Sequence, residues 1–132
     1  MLSAGNTCVL QRGEMQESST KRGVAPLLTW LESGKNYHGF SAADKVVGKA
    51  AAYLYVLLGV KELYANVVSE AAEEVLSKHE IPLFYAEKVP AIRNRTNTGF
   101  CPMEQAVWHI DDPLLAKQAI IEKLDQLRGD TI

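Results

Sequence analysis

A chain of 132 residues suits one domain with a real core, and 47% hydrophobic against 23% charged residues exclude a disordered chain. Fourteen Lys and Arg against sixteen Asp and Glu give a formal charge of −2, which excludes a global electrostatic field for nucleic acid; any anion recognition must be local. The two cysteines, Cys8 and Cys101, form no C-x-x-C pair, so a zinc ribbon or a thioredoxin-like motif is excluded as well.

In chain order, Thr7–Gln11 and Met15–Ser19 read as two β-prone runs around Arg12-Gly13-Glu14, the pattern of a hairpin. The stretch Val24–Ser33 reads as a helix, with Leu27, Leu28, Trp30 and Leu31 on it and Gly34 to end it. A polar loop, Lys35–Phe40, leads into Ala42–Leu58, which is apolar almost all the way round and reads as a buried helix. Lys45 and Lys49, four apart, would share a face of that helix, and Ser41 with Asp44 three residues on resembles a capping box.

Glu62–Val68 reads as a strand, Ser69 as the cap of a helix Glu70–His79, and Ile81–Ala86 as the next strand. That order predicts a crossover between parallel strands. A long polar segment, Glu87–Phe100, follows. Pro102 then starts a short helix to about Ile110, and Asp112-Pro113 starts a last helix ending near Gly129. The expected order is β-β-α-α-β-α-β-α-α, an α/β domain with a mixed β-sheet flanked by helices. It fills residues 1–132, with flexible ends at 1–5 and 129–132. The first residues show neither a basic nor a long apolar leader, and Ala50–Val60 is too short to span a bilayer. The expectation is a cytoplasmic chain with reduced thiols and no membrane partner.

The chemistry of the chain is expected around Gly99-Phe100-Cys101-Pro102-Met103-Glu104. Cys101 at a helix N-terminus has free amides and the helix dipole to favour a thiolate, and Glu104 would oppose this if close. Three readings stay open there: a plain helix start with a small buried cysteine, a reactive thiol, or a metal ligand. Asp44 and Lys45 are the proton-handling candidates beside it; Asp44 reads equally as a helix cap, and Lys45 and Lys49 as groups on a solvated edge. Arg93, Asn94, Arg95, Thr98 and Gly99 form a candidate cradle for phosphate or carboxylate, against a plain surface loop. Trp30, Tyr53 and Trp108 could serve a homo-oligomer interface or simply the core.

Three blocks carry a family resemblance: Gly39–Ala50, Val89–Arg95 and Thr98–Glu104. With them, nearly the whole of Asn6–Leu127 resembles an uncharacterised bacterial and archaeal family, a domain of unknown function that is similar to cytidine deaminases in fold. The resemblance implies a three-layer deaminase-like architecture in which two helix N-termini meet at a cleft. Zinc deaminases place H-x-E on one of those helices and P-C-x-x-C on the other. If the helices here begin at Ser41 and Cys101, then Ser41, Asp44, Lys45, Cys101 and Glu104 would line one cleft. Ser41–Lys49 contains no H-x-E, and position 104 is Glu. The zinc site therefore reads as lost, with no metal and no cofactor expected.

Two functions follow. One is a zinc-independent enzyme with Cys101 as nucleophile, Asp44, Lys45 and Glu104 handling protons, and Ser41, Lys49 and the Arg93–Gly99 segment holding a nucleotide-like or other anionic small molecule. The alternative is a non-catalytic module that binds such a molecule.

Overall fold

The computed structural model describes residues 6–21, 23–92 and 101–129, with side chains described as far as Leu127. The expected flexible end at 1–5 lies outside those residues, as does all of 129–132 except the backbone of Gly129. Strands β1 (Cys8–Arg12) and β2 (Met15–Ser19) pair antiparallel around Gly13, whose φ of +60° is cheap only for glycine. Helix α1 (Ala25–Glu32) buries Leu27, Leu28 and Trp30.

The largest departure from the sequence reading is the expected helix Ala42–Leu58. Its first part is strand β3 (Ser41–Val47), and only Lys49–Leu58 is helix α2. Gly48, extended at φ −98° and ψ −176°, separates the two. The physical reason is that β3 is the middle strand of the sheet. Over Ala42–Asp44 it is buried on both faces, and periodicity alone does not distinguish such a run from a helix buried all round. Ser41 and Asp44 therefore form no capping box, and Lys45 and Lys49 lie on different elements rather than one helical face.

Strand β4 (Glu62–Ser69), helix α3 (Glu70–Lys78) and strand β5 (Leu83–Val89) follow, then α4 (Pro102–Val107) and α5 (Pro113–Gly129). The sheet order is β2-β1-β3-β4-β5, with β1 antiparallel to both neighbours and β3, β4 and β5 parallel. Two β-α-β units thus replace the single one expected.

Helix α2 is the hub: Ala50 to Tyr55 are all buried, and α1, α3, α4 and α5 each contact it. It ends at Gly59, left-handed at φ +75°, whose amide closes onto Tyr55 O and Val56 O. Leu10, Leu54, Leu63, Leu76 and Ile120 are fully buried in one cluster with it. Of the aromatics read from the sequence as serving either an interface or the core, Trp30 and Tyr53 belong to this core, and Trp108 is exposed. No helix among the described residues is long and apolar enough to cross a membrane.

Candidate functional site

Two of the three parallel strands run into helix starts at their carboxyl ends, where Val47 leads to Gly48 and α2, and Ser69 leads directly into α3. Carboxyl ends of parallel strands are the usual location of sites in α/β sheets. Helix α4 brings its own start to the same place. Its Glu104 accepts hydrogen bonds from Lys49 N through Oε1 (2.7 Å) and from Ala50 N through Oε2 (2.9 Å). Two helix N-termini do meet, but the first of them begins at Lys49 and not at Ser41.

The contact fills a place that a helix start otherwise leaves open. Gly48 supplies no side-chain cap to α2, so the first amides need an outside acceptor. A carboxylate there also meets the positive end of the helix dipole. Glu104 is only 3% exposed; burial pushes its carboxyl up from the ordinary value, and the two amides and the Lys49 ammonium pull it back.

Lys49 holds α4 at both ends. Its amide serves Glu104 in the first turn, and its Nζ donates to Trp108 O, at the C-cap, at 2.8 Å. The ammonium also stands 5.9 Å from the ring centroids of Tyr53 and Trp108, within cation–π range. Tyr53 Oη donates to Ile110 O at 2.6 Å just beyond. Lys49 is thus a clamp on a six-residue helix that is too short to be stable alone.

Cys101 is the N-cap of α4, half-buried, packed against the core, and its side chain makes no capping bond. Its amide donates to Ile92 O at 3.1 Å, so the residues on either side of 93–100 are bonded together. Arg93, Asn94, Arg95, Thr98 and Gly99 lie outside the described residues.

The remaining expected residues do not join this junction. Ser41 stands at the amino end of β3, about 20 Å along the strand from Val47, where its Oγ bonds Glu62 Oε1 at 2.8 Å. Lys45 is exposed on β3. Asp44 is buried in the core, where it accepts from Tyr55 Oη at 2.7 Å and from Val46 N at 3.4 Å. Desolvation lifts its carboxyl to about 7, against the pull of those bonds. Cys8 lies opposite Asp44 in the β1–β3 register. Burial, then the neighbouring Asp44, push the Cys8 thiol up to about 12.

The sequence reading missed Gly48, Ala50, Tyr55 and Cys8 as partners. Only Gly48 carried a signal, as the one glycine inside an otherwise apolar run. Two surface hollows of about 350 and 370 Å³ lie elsewhere, one beside His38, Lys61, His79 and Glu80, the other between α1 and α5. Neither is lined by an expected site residue.

The residues do not fit a zinc centre: the described residues hold no group of three or more His, Cys, Asp or Glu arranged for a metal, and Glu104 is spent on amides.

A family model described as "TM1506: Domain of unknown function (DUF1893)" matches residues 1–124. The chain is similar to the crystal structure of a DUF1893 family protein, TM1506, from Thermotoga maritima, at 26% identity and a TM-score of 0.80. That match covers 92% of this chain and 80% of the other. No curated protein matches it.

Proposed function

The chain belongs to the DUF1893 family, and on that premise we propose that it is a non-catalytic module that binds an anionic, nucleotide-like small molecule at the carboxyl ends of β3, β4 and β5. The observation that carries this reading is the commitment of Glu104 to Lys49 N and Ala50 N. An acid or base needs a carboxyl free to exchange a proton with a reactant. Glu104 is held on two amides, and Asp44 is held in the core by Tyr55. Among the described residues no acid or base is bonded to the Cys101 thiol, which a cysteine nucleophile requires.

The family resemblance implies a deaminase-like cleft where two helix N-termini meet, and the junction of α2 and α4 supports that location. The same resemblance implies zinc chemistry that this donor set does not fit. The arrangement supports binding without catalysis. Arg93 and Arg95, between Ile92 and Cys101 in sequence, supply the cations for a phosphate or carboxylate.

The test is thermal unfolding of the full chain with inorganic phosphate, AMP and CMP. A ligand at about 100 times its Kd adds about 2.7 kcal/mol, which raises Tm by several degrees, and Arg93→Ala with Arg95→Ala removes the rise. No shift with any of the three, together with fast alkylation of Cys101 at neutral pH, overturns the binding reading in favour of a cysteine enzyme.

A further inference from the structure

The two edges of the sheet differ. The β2 edge, Met-Gln-Glu-Ser-Ser, is polar apart from Met15. The β5 edge carries Phe84 at 56% exposure and Tyr85 at 41%, and Tyr64, paired with Phe84 in the β4–β5 register, is 38% exposed. Every residue from Phe84 to Lys88 is exposed, although α3 contacts the strand and its Glu73 accepts from Lys88 Nζ at 3.2 Å. An exposed edge with aromatic side chains is a template for another strand.

The main chain of β5 is set for such a pairing. Leu63 N donates to Pro82 O at 3.0 Å. In a parallel ladder that bond turns the amides and carbonyls of Phe84, Ala86 and Lys88 toward β4. The groups of Leu83, Tyr85, Glu87 and Val89 therefore point outward. Pro82 and Pro90 flank the seven-residue strand.

We propose that β5 pairs antiparallel with β5 of a second copy of this chain, about a two-fold axis at Ala86, joining two five-stranded sheets into one. Charge selects the axis. Centred on Ala86, Tyr85 lies opposite the second copy's Glu87 as a hydrogen-bonded pair, each exchanging both main-chain bonds. Phe84 then lies opposite Lys88, Leu83 opposite Val89, and the two small Ala86 side chains meet on the axis. A shift to an axis at Glu87 sets two carboxylates against each other. A shift to Tyr85 sets Glu87 against Leu83. Only the Ala86 axis gives each charged residue a polar or aromatic partner.

Sedimentation equilibrium from about 1 µM to about 300 µM tests this on the full chain. The wild type is expected to dimerise. Ala86→Glu and Ala86→Lys each place like charges on the axis and should weaken the dimer at least about tenfold, and mixing the two variants should restore it. A wild type that stays monomeric across that range overturns the proposal. So does a dimer indifferent to Ala86→Glu, which would place the contact on another face such as Leu114 and Leu115, or a mixture that fails to reassociate, which would exclude this axis.

Discussion

The carboxylate of Glu104 occupies the space that a side chain at position 48 would need: a Cβ built on Gly48 lies 2.5 Å from Oε1 and 2.7 Å from Oε2. The glycine is present for the approach and not for its backbone, since φ −98° and ψ −176° suit any residue. Gly48→Ala should therefore act through Glu104, expelling the end of a flexible side chain and uncapping α2. Loss of two charge-assisted bonds predicts about 2–4 kcal/mol for Gly48→Ala and for Glu104→Ala alike. The double variant should cost little more than either alone, a coupling of about 2 kcal/mol by urea unfolding. Additive losses would show that the two residues act separately.

Asp44 predicts a pH dependence of the opposite sign to an ordinary surface salt bridge. Its carboxyl is raised from 3.8 to about 7 in the fold, so between those values the folded state holds a proton that the unfolded state has lost. Stability contributed by the site is full below about pH 4 and falls as pH rises to about 7, by about 4 kcal/mol at most. Asp44→Asn should flatten that part of the stability profile. Tyr55→Phe removes a bond that favours the ionised form and should move the fall to higher pH.

How much of this was legible in the sequence depended on how local each signal was. The β1–β2 hairpin, the starts of α4 and α5 at Pro102 and Pro113, and the cap at Ser69 are written within a few residues and stand where expected. The β3–α2 boundary was not legible, because Ala42–Asp44, the part of β3 buried on both faces, does not differ by periodicity from the start of a buried helix. That single error misplaced Ser41, Asp44 and Lys45 together. Glu104 was located in the first turn of α4, but its partners are more than fifty residues away, on α2. No local pattern carries such a contact.

Ser69 gives a clean measure of a cap read from sequence. Its Oγ accepts from Ala72 N at 3.1 Å, and the residue is 1% exposed. Ser69→Ala should cost about 1 kcal/mol, and Ser69→Asn less, since Asn is an equally good cap and buries no charge. Tm of the two variants decides it. Equal losses would mean that burial of the hydroxyl, and not capping, dominates.

The two thiols should differ by reactivity in a way that reports on the core rather than on catalysis. Cys8 is 1% exposed on β1, across from Asp44, and its thiol is pushed from 9.0 to about 12 by burial and then by that carboxylate. Three units leave about a thousandfold less thiolate than an ordinary cysteine at the same pH, before any steric protection is counted. Native alkylation should therefore label Cys101 first and leave Cys8 intact until the domain unfolds. In a Cys101→Ser chain, the rate of labelling then measures opening of the β1–β3 core. Prompt labelling of Cys8 in the native Cys101→Ser chain would contradict the buried Cys8–Asp44 pair.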